Sequence, residues 1–267
     1  MNEECGIEMR KTILALLVAL AALCAFATAQ ETTEDWVKMG DELFLDDSLE
    51  EALKAYDKAI ELNPKEITAW LSKGTTLSSL EQHDASIAAY VEITKIDPES
   101  VQAWGAMADE YLINTNYNKA IEAYDRVLQI DPQKARAWAG KGESLEALEM
   151  HETALNAFKE ALRIYDGDIQ DNPNDTFAWT GKGDILEMMS RYEEAIQAYD
   201  KAIELAQNSR LSLAALISKG NLFNAMGKYE EAILAYDEVL QITPENAYVL
   251  KNKDIILKTL KRTSTRI

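Results

Sequence analysis

The stretch Asp35–Pro64, DWVKMGDELFLDDSLEEALKAYDKAIELNP, decides the fold. In its second half Ala52, Leu53, Tyr56, Ala59 and Ile60 follow the i, i+3, i+4, i+7 spacing of one helix face. Glu50 and Glu51 open that helix, where acidic side chains complement the positive end of the helix dipole. Pro64 closes it, because proline disfavours helical geometry in the residue before it. A tryptophan near the start and a proline at the end frame the unit.

The frame returns along the chain. Trp36, Trp70, Trp104 and Trp138 lie 34 residues apart and Trp179 follows after 41. Pro64, Pro98, Pro132 and Pro173 each follow a tryptophan by 28 or, once, 35 residues, and Pro244 follows Leu216 by 28. With tryptophan as position 4, position 8 is Gly40, Gly74, Ala108, Gly142, Gly183 and Gly220. Position 20 is Ala52, Ser86, Ala120, Ala154, Ala195 and Ala232, and position 24 is always aromatic: Tyr56, Tyr90, Tyr124, Phe158, Tyr199 and Tyr236. A large ring facing a small residue is the complementarity that close-packed helices need. A fixed period of this length means stacked supersecondary units that cannot stand alone.

W-x3-G, A-x3-Y-x2-A and a terminal Asn-Pro or Asp-Pro together resemble the tetratricopeptide repeat, over Thr33 to about Asn246. The resemblance implies an all-α chain: a right-handed superhelical solenoid of stacked antiparallel helix pairs. The repeats fall at 33–66, 67–100, 101–134, 135–175, 176–212 and 213–246, with seven extra residues in the fourth and three in the fifth. Seven residues are within about 20° of two full helical turns, so a longer second helix keeps its packing face in register. The sequence therefore predicts an extended helix through 165–171 rather than a loop, despite Gly167. Residues 247–261 are expected to form a helix capping repeat six, its apolar side made by Val249, Leu250, Ile255, Ile256, Leu257 and Leu260, with a basic tail at 262–267.

Ahead of the repeats, Arg10-Lys11, the apolar run Thr12 to Phe26 and Ala27-Thr28-Ala29 have the order of a secretory signal, with Met9 as an alternative start. Residues 1–29 are read as a leader cleaved before Gln30 and 30–32 as a short linker; the alternative is a membrane anchor at 12–29. The expected location is extracytoplasmic, in the envelope or secreted. Cys5 and Cys24 both leave with the leader, so the mature chain has no disulfide and no thiol nucleophile. The whole chain carries 27 basic and 46 acidic residues. Residues 30–246 have a net charge of −23 and the last 21 residues +5. Such a body repels nucleic acid and anionic lipid. Membrane contact is left to an uncleaved leader or the basic tail.

No catalytic constellation is evident. His83 and His151 share position 17, a turn slot filled elsewhere by Leu49, Tyr117, Tyr192 and Tyr229. No G-x-S-x-G, H-E-x-x-H or P-loop occurs, and nothing implies a metal or cofactor. An EF-hand counted from Asp166 would need glycine and glutamate where Asp171 and Phe177 stand. Asn174-Asp175-Thr176 is a glycosylation sequon.

The resemblance places ligands against positions 2, 5, 6, 9 and 12 of each first helix. Position 9 reads Asp41, Thr75, Asp109, Glu143, Asp184 and Asn221, and the lysine, asparagine and arginine clamp of chaperone-tail binders is absent. Small residues at position 6, Ser72, Ala106, Gly140, Gly181 and Ser218, are expected to leave room beside this acidic row. Phe44 and Phe177 are candidate apolar contacts. The expected function is a non-catalytic interaction scaffold whose partner is a basic or mixed basic-apolar peptide or helix. The alternative is an accessory module of an envelope enzyme or carbohydrate-handling complex.

Overall fold

Helices alternate with tight turns through the computed structural model, which describes residues 32–207 and 209–264. The leader and the last three residues of the tail lie outside the described residues. The chain divides into two compact units after Pro98. The first holds α1 (Thr33–Leu45), α2 (Leu49–Leu62), α3 (Ile67–Ser79) and α4 (His83–Ile96). The second holds α5 (Val101–Ile113), α6 (Tyr117–Ile130), α7 (Ala135–Ala147), α8 (His151–Asp171), α9 (Thr176–Met188) and α10 (Tyr192–Ala206). A single 3-10 turn, Arg210–Ser212, then leads to α11 (Leu213–Ala225), α12 (Tyr229–Ile242) and α13 (Ala247–Ser264). Among the described residues no strand is present and no helix is long and apolar enough to cross a membrane.

Within each repeat the turn is made the same way. Asp47, Glu81, Thr115, Glu149, Ser190 and Gly227, all at position 15, have positive φ between 57° and 73°. Only the last is a glycine, so five repeats carry the steric penalty of a side chain in the left-handed region. Three first helices are tied down by a side-chain cap. Thr32 and Asp35 form a reciprocal capping box on α1, Ser100 accepts from Ala103 N–H on α5, and Asp175 accepts from Phe177 and Ala178 on α9.

The packing accounts for the phases of the scarce residues. Trp70, Trp138 and Trp179 each donate their indole N–H to the carbonyl of Pro64, Pro132 and Pro173, six residues earlier, at 3.0 Å. Tryptophan and proline are thus two ends of one hydrogen bond at the start of α3, α7 and α9. Tyr56, Tyr124, Tyr199 and Tyr236 are almost wholly buried. A Cβ added to Gly40, Gly142, Gly183 or Gly220 would overlap the ring of Tyr56, Phe158, Tyr199 or Tyr236. Burying one such ring removes about 150–250 Å² from water, roughly 4–6 kcal/mol gross at about 25 cal/mol per Å². Ser86, which replaces the usual alanine, is satisfied by donating to Gly74 O at 2.9 Å.

Four repeat boundaries are stitched by a lysine three residues after the tryptophan position. Lys73, Lys141 and Lys182 bond Asp57, Asp125 and Asp166 at 2.6, 2.6 and 2.7 Å, and each lies over the Trp70, Trp138 or Trp179 ring. Lys219 pairs with Asp200 at 2.5 Å. Lys253 pairs with Asp237 in the same way, so α13 docks as the first helix of a seventh, incomplete repeat. Val249 and Ile256 are fully buried against repeat six. α13 continues to Ser264, three residues beyond the end at 261 expected from the sequence.

α8 has 21 residues where the second helices α2, α4, α6 and α12 have 14. Gly167 sits inside it with open space around its α-carbon. The added heptad splits one job between two rings. In repeat three Tyr124 is buried within its own repeat and also covers Gly140 of the next one. In repeat four Phe158 covers Gly142 of its own repeat, while Tyr165, two turns on, covers Gly181 of the next. Asp166 likewise takes the lysine pairing that falls to the residue after the ring elsewhere. Repeat five is therefore set about 10 Å further along α8 than an ordinary successor would be.

Candidate functional site

A cavity of about 310 Å³ lies at this step in the second unit. α5 contributes Asp109 and Leu112, α7 contributes Arg136 and Glu143, and α9 contributes Asp184 and Met188. Tyr124 and Tyr165 form part of its wall. Three of the predicted position-9 residues, Asp109, Glu143 and Asp184, are thus brought together. The others are not part of this lining. Asp41, Phe44 and Thr75 belong to the first unit, Asn221 sits on α11, and Phe177 stands in the first turn of α9 with 72% of its surface exposed.

Position 9 also has a structural duty. The buried tyrosine of the same repeat donates its hydroxyl to that residue: Tyr56 to Asp41 at 2.8 Å, Tyr124 to Asp109 at 2.7 Å, Tyr199 to Asp184 at 2.8 Å and Tyr236 to Asn221 at 2.7 Å. Thr75 lies 3.5 Å from the Tyr90 hydroxyl. Asn221 accepts a second bond from Tyr248 of α13 at 3.1 Å. Burial, with the neighbouring Asp109 charge next, pushes the Tyr124 phenol up, and burial followed by Asp184 does the same to Tyr199. Burial above all pushes Tyr236 up to about 12. These phenols therefore stay protonated donors. Repeat four breaks the rule because its aromatic is Phe158, which has no hydroxyl to offer Glu143.

The charges around the cavity are unbalanced. Arg136 bonds Asp109 at 2.7 Å and is the cation in the lining. Burial, then Asp109 and Asp184, raises Glu143 above the usual carboxylate range, against the opposing pull of Arg136. Burial raises Asp184, and its bonds to Tyr199 and Ser218 only partly offset this. Burial also raises Glu187, whose Oε2 lies 2.9 Å from the Tyr199 hydroxyl already bonded to Asp184. One phenol hydrogen serves two carboxylates. A half-dry site holding more carboxylates than cations attracts an incoming positive charge strongly, because screening there is weaker than in open water.

Gly140 and Gly181 line the first cavity beside the acids, but the rings of Tyr124 and Tyr165 lie directly over them, so the room there is only what the rings leave. That space lies at the step between α7 and α9 and continues along α5. A second cavity of about 620 Å³ there shares Asp109, Tyr124 and Arg136 and adds apolar Val101, Ala106 and Val127. The sequence reading missed Tyr165 and Arg136. The signal for Tyr165 was present, since Tyr-Asp occurs at 56–57, 124–125, 199–200 and 236–237 and again at 165–166.

The remaining candidates are simply placed. Asn174 is exposed in the turn between α8 and α9, with its N–H on Asn172 Oδ1 at 3.2 Å. His151 lies 2.8 Å from Glu146 on the surface. Among the described residues no three His, Cys, Asp or Glu side chains are grouped to hold a metal ion.

Comparison with known proteins agrees with the helix pairs. Family models described as tetratricopeptide repeat match residues 36–66 and 67–100, 106–169 and 175–245. A tetratricopeptide repeat protein from Parabacteroides merdae has a similar structure, with 18% identity, TM-score 0.67 and 94% of each chain covered. A thermophilic protein of the same repeat class from Thermus thermophilus gives 18% identity and TM-score 0.59, over 72% of this chain and 98% of that one. The APC/C hetero-tetramer Cut9–Hcn1 gives 17% identity and TM-score 0.58, over 90% of this chain but 45% of that one. No curated protein sequence matches. With these matches spanning nearly all of the six helix pairs read from its sequence, the chain belongs to the tetratricopeptide repeat family.

Proposed function

We propose that the protein is a non-catalytic scaffold, acting outside the cytoplasm, that binds a basic or mixed basic-apolar peptide or helix against its first helices. The observation that carries the reading is the cavity at the α8 step, where Asp109, Glu143 and Asp184 surround one arginine. Leu112, Ile185 and Met188 supply apolar surface beside those acids, which suits a segment that alternates cationic and aliphatic side chains. The order Arg10-Lys11, apolar run, Ala27-Thr28-Ala29 supports export.

The test is fluorescence anisotropy with short labelled peptides that differ in lysine, arginine and leucine content. Basic-apolar peptides should bind, and binding should weaken as salt shortens the Debye length from about 30 to about 8 Å. Asp109→Lys with Glu143→Lys should weaken it further, and Glu143→Gln should act in the same direction without adding a charge. Equal binding of acidic peptides, or undiminished binding by the double variant, would overturn the acidic-site reading.

A further inference from the structure

The outer surface of α13 carries a charge opposite to that of the acidic repeats. Its buried side is Val249, Ile256 and the partly buried Leu260. Projected at 100° per residue, Lys251, Lys258 and Arg262 fall on the opposite side and form a cationic crest. Lys251 and Lys258 are exposed, and Lys258 pairs with Asp254 one turn back on the same helix. Leu250 and Leu257 run along one flank of the crest, Tyr248 and Ile255 along the other, and these four keep 39–53% of their surface exposed. A lipid-facing helix has its apolar residues in the middle and its cations at the edges. α13 has the reverse order. Its crest is the complement of a groove with a net acidic floor and apolar walls, and the cavity at the α8 step has that composition: Asp109, Glu143 and Asp184 outnumber the one lining cation, Arg136, between Leu112 and Met188.

We infer that α13 of one copy docks crest first into the acidic groove of a second copy, joining chains head to tail. The inference rests on the groove reading above. A second copy fits because the strongly acidic body and the +5 terminal segment belong to one sequence, so each chain carries both halves of a complementary pair. A contact of this kind is heterologous, so each copy keeps a free crest at one end and a free groove at the other, and assembly grows with concentration unless the ring closes.

Sedimentation velocity on the purified full chain, with all variants sharing one N terminus, tests this. At low salt the average mass should rise above that of one chain with concentration, and salt should reverse the rise. Lys251→Glu with Lys258→Glu, both exposed and remote from the buried side of α13, should weaken association by about tenfold or more. Asp109→Lys with Glu143→Lys should do the same. An equimolar mixture of the two reversed proteins should associate again, because the acidic crest of one then meets the basic groove of the other. A chain that stays monomeric at low salt, association unaffected by the crest reversal, or a mixture that fails to recover would overturn the inference. So would binding of the wild type to phosphatidylserine vesicles without self-association. Peptide binding by the crest-reversed chain separates the two readings. If it is retained while the wild type does not self-associate, only the docking of α13 fails; if it is absent too, the groove itself fails.

Discussion

Replacing Gly181 with alanine should destabilise the protein, yet the same replacement should stabilise it once Tyr165 has been cut back to alanine. A Cβ on Gly181 would overlap the ring of Tyr165, which is packed against the buried cluster of Leu145, Phe158 and Ile185. Overpacking of this kind costs about 1–3 kcal/mol, set against about 1 kcal/mol gained by removing a glycine from a helix interior. The net expectation is a loss of about 1 kcal/mol. Tyr165→Ala alone leaves a void over Gly181 and should cost about 2–3 kcal/mol, at the low end for a large-to-small change because the ring is only partly buried. In that background the added methyl meets no ring, so Gly181→Ala should gain about 1 kcal/mol from helix propensity. Urea unfolding followed by circular dichroism measures all four corners of the cycle, with the m-value checked for loss of cooperativity. Gly167→Ala is the control: nothing lies within 4 Å of its added Cβ, so it should stabilise both backgrounds by up to about 1 kcal/mol. Additive effects at 181 and 165, or a stabilising Gly181→Ala in the otherwise unchanged chain, would refute the claim that Tyr165 serves the following repeat.

Thr115 is a β-branched residue at φ 57°, so Thr115→Gly should raise stability by about 1 kcal/mol, the steric relief outweighing the extra freedom of the unfolded chain; a lowered urea midpoint would contradict the turn assignment. Because burial raises Glu143, the folded chain keeps a proton there that the unfolded chain has released, and stability falls as pH climbs from the unfolded value of about 4.3 to the raised folded one. Glu143→Gln should therefore gain stability over the wild type through that window and hold a constant advantage above it; an advantage that shrinks with rising pH has the wrong sign. Intact-mass measurement on protein from the native host should show a chain beginning at Gln30, whereas full-length protein confined to the membrane fraction would favour an anchor at 12–29.

Much of the architecture could be read before any coordinates because its determinants are local and repeated. Each helix needs one apolar face, each pair needs a small residue opposite a ring, and the entries at Trp70, Trp138 and Trp179 use a Trp and a Pro six residues apart across the repeat boundary. Such requirements leave the same residue types at the same phase, and Trp36 to Pro244 display them in one dimension. The heptad in α8 was legible as well, since two turns restore the phase of a helix face.

The candidate site was legible only in part. Position 9 was identified as an acidic row, but a row in sequence does not say which acids converge or what already holds them. Tyr56, Tyr124 and Tyr199 tie Asp41, Asp109 and Asp184 from 15 residues away, and Arg136 reaches Asp109 from 27 away. Those distances cross helices, so the partners are chosen by packing. The same holds for Gly181, where Tyr165 of the preceding repeat lies over the glycine and takes part of the room that its small size implied. By itself the sequence determined the helix pairs, their number and their register, because helix geometry is periodic and acts over four residues. Only the tertiary structure decided that the extra heptad moves repeat five along α8 and gathers Asp109, Glu143 and Asp184 at one cavity, because that displacement is a property of how the two repeats pack and not of either one alone.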